Sequence, residues 1–141
     1  MKKLNVKNKV LIEAPLTKVW EVLIAPKFIR QWDALPEDFQ DYYLETGREI
    51  EWAGSSKMVV TEMVAQETLK LSLYQTKWDL SPSECDISFT YSLKADAEQT
   101  ALSIQIGDFA QLNNGLEYYE SYTESATKVL TKIKALAENK V

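Results

Sequence analysis

The sequence predicts an α+β protein in which a curved antiparallel sheet of about six or seven strands wraps around one long C-terminal helix. Three observations support this prediction. A short alternating segment and two proline-started helical segments open the chain. A long run of alternating apolar and polar residues without helical period follows. One amphipathic segment with helical period closes the chain.

The opening of the chain predicts a strand and two short helices. Apolar residues alternate with mostly polar ones over residues 6–13, which predicts a strand with one apolar face, on which Asn8 is the polar exception. Pro15 ends this strand and suits the first turn of a helix, whose apolar stripe spans residues 16–23. Pro26 ends that helix and begins the second one.

The middle of the chain predicts a meander of strands. Residues 33–41 are acidic and turn-like, and we expect a mobile loop there, although most such segments are solvated connections. Turn residues at 53–56, 81–83 and 95–98 then separate segments of strand length and period two. These segments are 48–52, 58–64, 69–73, 87–93 and 102–106. Clean alternation favours an antiparallel sheet that is covered on one face, because a parallel sheet is buried on both.

The last segment predicts the helix that covers this sheet. Asn114 can cap its start, with Glu117 three residues later as in a capping box. Glutamates lie early in the segment and lysines late, which matches the helix dipole. The apolar stripe consists of Leu116, Tyr119, Tyr122, Ala126, Val129, Leu130, Ile133 and Leu136.

Length and composition predict one domain, residues 1–141, in the cytoplasm. Cys85 is the only cysteine, so the chain cannot form an internal disulfide. No apolar run reaches transmembrane length, and the lysine-rich start does not lead into a signal peptide, so we expect no membrane insertion. The net charge of −5 and the lack of a convincing basic patch argue against nucleic acid as a partner.

Residue types also limit the chemistry. The chain has no histidine, which removes the commonest general base and the commonest metal ligand. The four glycines form no phosphate-binding loop. We therefore expect no metal, no cofactor and no catalytic set. A buried carboxylate from Glu49, Glu51 or Glu62, used by a cyclase or hydrolase, is the least favoured alternative.

The predicted architecture suggests a cavity. A twisted sheet curls, and a helix that crosses its concave side touches it best along one line. The four Trp, seven Tyr and four Phe residues would then either pack the interior as a core or line a pocket for a small apolar ligand. Both interpretations remain open.

One charged residue stands out beside the aromatic set. Arg48 shares its strand parity with Ile50 and Trp52, so it would either lie at the cavity mouth, where it could receive an anionic head group, or pair within the protein. The predicted ligand-binding residues are Arg48, Trp52, Leu71, Leu73, Phe89, Tyr91, Ile104, Tyr119 and Tyr122.

Residues 12–23 (IEAPLTKVWEVL) resemble the opening of the bacterial proteins similar to the activator of the Hsp90 ATPase, within the START and Bet v 1-like superfamily. The resemblance continues to the last strand and covers nearly the whole chain. Further residues that carry it are Pro26, Ile29, Trp32, Glu62, Met63, Leu69, Thr100, Leu102 and Ile104. It implies the helix-grip fold with a hydrophobic cavity.

The chain departs from that family at two motifs. Thr46-Gly47 stands where the family often has a Gly-Gly pair, and Gly115-Leu116 stands where it often has Gly-Trp. The eukaryotic activator carries a separate N-terminal domain that contacts its chaperone, and we see none in this sequence, so we do not expect co-chaperone activity.

Together these features favour a non-enzymatic protein that binds a small, largely hydrophobic molecule between sheet and helix. The alternative from another class is a protein-interaction or stress-related, co-chaperone-like module with a filled interior. Its acidic residues 37–41 would then meet a basic protein partner. Either protein would be a monomer or a homodimer.

Overall fold

The computed structural model describes residues 3–52, 56–78, 81 and 86–139. Cys85 and most of the predicted turns at 53–56 and 81–83 lie outside these residues. In chain order the elements are β1 Val6–Ile12, α1 Leu16–Ile24, α2 Pro26–Trp32, β2 Glu49–Trp52, β3 Ser56–Val64, β4 Thr68–Gln75, β5 Ile87–Asp96, β6 Gln99–Gly107, a 3-10 turn Phe109–Gln111, and α3 Gly115–Ala137.

The strands form one antiparallel sheet in the order β1-β6-β5-β4-β3-β2. The first strand therefore pairs with the last, and the other strands follow as a meander. A bulge between Val60 and Glu62 bends β3, since an extra residue on one strand increases the local twist. The predicted α+β architecture, with two short helices after the first strand, is confirmed.

The core lies between the sheet and α3. The inner face of the sheet contributes alternate residues of each strand, such as Leu102, Ile104 and Ile106 of β6, whose side chains are at most 2% exposed. The C-terminal half of α3 contributes Leu130 and Ile133. No helix among the described residues has the length and apolarity that a membrane span requires.

The start of α3 differs from its prediction. Asn114 occupies the N-cap position, but its side chain makes no capping hydrogen bond. Leu116, which was expected in the buried stripe, is 57% exposed. Tyr118 instead packs inward, with its ring 6.3 Å from that of Phe109. Gly115 packs closely at this point, because a Cβ atom there would lie 1.9 Å from the Phe109 carbonyl oxygen.

Candidate functional site

A cavity of about 280 Å³ lies between the concave face of the sheet and α3. Its apolar walls come from inward-facing residues of the strands and from one side of the helix. These residues are Trp52, Met58, Leu73, Phe89, Ile104, Ile106, Ala126 and Val129. Its polar groups are Asp33, Ser56, Gln75, Tyr91, Tyr122 and Ser125. An apolar wall with a few convergent polar groups is the usual composition of a small-molecule site.

A larger depression of about 480 Å³ lies elsewhere, on the outer face of the sheet. Its lining includes Lys7, Lys9, Thr90 and Gln105, which belong to the wet side of β1, β5 and β6. Because polar and charged side chains make up most of that lining, the smaller cavity between sheet and helix is the better candidate for an apolar ligand.

Six of the nine predicted ligand-binding residues line the interior cavity. They are Trp52, Leu73, Phe89, Tyr91, Ile104 and Tyr122. Leu71 is buried in the core, and Tyr119 is half-buried against it, and neither borders the cavity. The structure therefore brings six of the predicted residues together around one cavity. That they contact a ligand remains a prediction.

Arg48 lies away from the cavity lining and pairs within the protein. Its guanidinium donates hydrogen bonds to the carbonyl oxygens of Gln40, at 2.6 Å, and of Tyr42. It also lies 3.8 Å from the ring centre of Phe39 and 3.6 Å from that of Tyr42. Burial lowers the pKa of Arg48, the neighbouring charges acting mostly in the opposite direction. The sequence left two roles open for Arg48, binding an anionic head group at the cavity mouth or pairing within the protein. The contacts are those of the second role.

The segment between α2 and β2 is fastened at several points. Arg30 forms an ion pair with Asp41 and donates a hydrogen bond to the Phe39 carbonyl oxygen. The Leu44 amide donates to the Ile24 carbonyl oxygen at 2.9 Å. These contacts and those of Arg48 hold residues 33–41, which the sequence predicted to be a mobile loop, beside the cavity.

Asp33 brings a carboxyl group to this cavity, and sequence reasoning missed it. Its amide donates to the Ile29 carbonyl oxygen at 2.7 Å and so ends α2, and its Oδ1 accepts a hydrogen bond from the Ala34 amide at 2.8 Å. Water reaches the residue, yet protein surrounds most of the carboxyl, and this desolvation raises its pKa above the usual aspartate value. The Ala34 amide and the charge of Lys132 act in the opposite direction.

Tyr91 is a buried residue that borders the same cavity. The residue is 3% exposed, and its ring meets that of Trp32 edge-on at 6.1 Å. Among the residues that the structure describes, none forms a hydrogen bond with its hydroxyl. Burial raises the pKa of Tyr91 far above its ordinary value, and the nearby charge of Asp33 raises it further.

Tyr122 projects from α3 toward the opposite wall. Its hydroxyl oxygen accepts a hydrogen bond from Gln75 Nε2 at 3.0 Å, which leaves its own proton free to be donated. Its ring stacks on Phe109 at 5.1 Å and meets Phe89 edge-on at 5.8 Å. Burial raises the pKa of Tyr122, and the Gln75 hydrogen bond partly offsets this effect.

The carboxylates of the least favoured alternative, a cyclase or hydrolase, do not line the interior cavity. Glu49, Glu51 and Glu62 are all exposed. Glu49 and Glu51 alternate with the buried Ile50 and so face outward. Glu62 has the parity of the buried Val60, but the bulge between these two residues turns it to the outer face of the sheet. Glu49 pairs there with Lys57 Nζ at 2.5 Å. No group of three or more metal-ligating side chains lies close together in the described part of the chain.

The fold and cavity define the class of protein. A six-stranded antiparallel sheet closed by a long helix, with two short helices after β1 and a cavity between, is the helix-grip arrangement. Residues 13–138 match the family described as Activator of Hsp90 ATPase homolog 1-like protein, and the chain belongs to this family. No curated protein matches the chain significantly.

Solved structures share this fold across almost the whole chain. The Aha1 dimer from Colwellia psychrerythraea, solved in solution, has a TM-score of 0.74 and 14% identity, covering 96% of this chain and 97% of that one. Protein MLL2253 from Mesorhizobium loti has a TM-score of 0.75 and 18% identity, covering 97% and 98%. CalU16 from Micromonospora echinospora has a TM-score of 0.67 and 14% identity, covering 96% and 82%. At these identities the likeness shows a common fold.

Proposed function

We propose that this protein binds a small, largely apolar molecule in the cavity between the sheet and α3 and does not convert it. The observation that carries the proposal is the cavity, whose wall is mostly aliphatic and aromatic and includes the Tyr91 hydroxyl, which has no hydrogen-bond partner among the described residues. A ligand that fills the cavity would shield this hydroxyl from water, so a ligand with one polar group placed to pair with it should bind best.

The volume of the cavity limits the size of this ligand. A dry engineered cavity of about 150 Å³ binds one benzene molecule. The space of about 280 Å³ in this protein would therefore suit a molecule of roughly two rings, or one ring with a short chain. Because the lining is mostly aliphatic and aromatic, burial of the ligand's apolar surface would supply most of the affinity.

Intrinsic fluorescence provides the test, because Trp52 borders the cavity and Trp20, Trp32 and Trp78 do not. A panel of small apolar molecules should change the emission of the native protein saturably. In the Trp52→Phe variant the same molecules should still bind by calorimetry but change the emission far less. If no member of a broad panel binds, and native mass spectrometry finds no co-purified molecule, the proposal fails.

Asp33 favours a second candidate function, acid–base catalysis. Its carboxyl lies in a partly desolvated site, and its raised pKa would make it a stronger base than an ordinary aspartate. Nitrobenzisoxazole is a suitable probe, because removal of its ring proton breaks the N–O bond and releases a coloured phenolate. Catalysis that rises with pH and is lost in Asp33→Asn would support this function. Equal rates with the native protein and the variant would dismiss it.

Self-association is part of the same proposal. The Colwellia protein of similar fold is a dimer, which supports a homodimer over a monomer for this chain. Light scattering after size exclusion, at several concentrations, measures this directly. A constant monomer mass would contradict the homodimer and leave the ligand proposal unaffected.

A further inference from the structure

We propose that the cavity selects ligands that carry a protonated amine. The Asp33 carboxylate would supply the counter-charge, and aromatic rings would surround the rest of the ligand. This inference rests on the proposed function, because it requires that the cavity binds a ligand, and it adds the chemical class of that ligand.

The first observation that supports an amine ligand is the negative charge at the cavity. Among the described residues that line it, Asp33 is the only charged one. Its Oδ1 accepts the Ala34 amide, and no ion pair joins the carboxylate to a described cation within 4 Å. Lys132 acts on Asp33 through its charge but does not line the cavity. A carboxylate held this way still has acceptor positions for an ammonium group.

The aromatic lining is the second observation. Trp52, Phe89, Tyr91 and Tyr122 all border the cavity. The faces of such rings carry negative potential and attract cations within about 6 Å of the ring centre, most strongly where water is excluded. The same rings supply apolar contact for the carbon skeleton of the ligand.

The hydroxyl groups are the third observation. The Tyr91 oxygen can accept a hydrogen bond from an ammonium group, and the structure provides it with no other described donor. Burial and the proximity of Asp33 raise the pKa of Tyr91, so its hydroxyl stays neutral beside the carboxylate. An anionic ligand would meet repulsion from Asp33, and a neutral ligand would leave this carboxylate without a counter-charge.

Three probes of the same carbon skeleton test the selectivity: phenylpropylamine, phenylpropanol and phenylpropionate. Their affinities would be measured by calorimetry with the native protein at neutral pH and low salt. We expect the amine to bind at least about tenfold more tightly than the alcohol, since hydrogen bonds to charged groups are roughly twice as strong as neutral ones. The carboxylate should bind most weakly, and added salt should reduce the advantage of the amine.

Variants assign the selectivity to its residue. Asp33→Asn keeps the shape of the side chain, and it should bring the amine and the alcohol to similar affinities. Asp38→Asn is the matched control, because Asp38 is an exposed aspartate of the same segment, as Asp33 is, but does not line the cavity. The control should keep the native preference.

Two kinds of result would overturn the inference while the proposed function stands. One is an alcohol or carboxylate probe that binds the native protein as tightly as the amine. The other is an amine preference that persists in folded Asp33→Asn. If none of the three probes binds, the inference fails, and the broader panel then decides separately whether the cavity binds any ligand. The comparison of probes on the native protein is decisive even if the variant does not fold.

Discussion

Replacing Ala126 with leucine tests directly whether the space between sheet and helix is hollow. Ala126 is 1% exposed and points from α3 into the cavity wall. The change adds three carbon atoms, and a truncation that removes as many can leave a space of about 150 Å³. The new side chain would therefore occupy up to roughly half of the cavity of about 280 Å³.

The expected gain in stability follows from apolar burial. Three buried carbon atoms at about 0.8 kcal/mol each give roughly 2.4 kcal/mol as an upper limit. Ordering a leucine side chain costs about 0.5–1 kcal/mol, and helix propensity is nearly unchanged, so the net gain should be about 1.5 kcal/mol. The same variant should bind cavity ligands at least about tenfold more weakly, because the ligand and the new side chain compete for one space.

Urea unfolding followed by circular dichroism measures the first effect, and calorimetry with a cavity ligand measures the second. Ala137→Leu is the matched control, since Ala137 is buried on the same helix but does not border the cavity. Overpacking there should destabilise the protein by about 1–3 kcal/mol. If Ala126→Leu destabilises the protein as much as Ala137→Leu, the interior is filled and the cavity argument is refuted.

Three further predictions concern the surroundings of the cavity. Arg48→Ala should reduce the free energy of unfolding by about 1–2 kcal/mol and speed amide exchange in residues 39–43. Arg48→Lys should show the same two effects, because an ammonium group cannot replace the planar guanidinium that donates two hydrogen bonds. Gly115→Ala should cost more than about 2 kcal/mol in urea unfolding or prevent folding, because of the clash with the Phe109 carbonyl. The raised pKa of Asp33 means that the fold disfavours its ionised form, so this group lowers stability as the pH rises from 3.8 through the folded value. Asp33→Asn should therefore unfold at higher urea concentration than the native protein at neutral pH, and the gap should close below pH 3.8.

Strand parity was the most reliable source of site residues in the sequence. A side chain on an antiparallel strand has only two faces to choose between, so one apolar neighbour two positions away fixes its direction. Trp52, Phe89 and Tyr91 were placed on the cavity side by this reasoning, and the structure has them there. The same rule, applied to Glu49, would have placed it on the outer face. It fails for Glu62, which has the parity of the buried Val60 and faces outward because of the bulge between them.

Helical phase was less reliable, because a helix can rotate about its axis before it packs. The stripe assigned to α3 includes Leu116, which is exposed, and omits Tyr118, which packs on Phe109 and meets Trp78 edge-on at 5.8 Å. Contacts of this kind, such as the close approach of Gly115 to the Phe109 carbonyl oxygen, are tertiary and leave no mark in the periodicity of the sequence. Further along the helix, Ala126, Leu130 and Ile133 followed the predicted stripe.

Asp33 escaped prediction because its position depends on the path of the segment after α2 and not on a repeating pattern. Arg30 and Arg48 fix that path from opposite ends by binding Asp41 and the carbonyl oxygens of Phe39, Gln40 and Tyr42. Both arginines therefore influence the cavity without lining it, because they hold the segment that carries Asp33, the one charged residue among the described lining residues. A site held in this way is formed before any ligand arrives, so ligand binding should require side-chain adjustments and no reordering of residues 33–48.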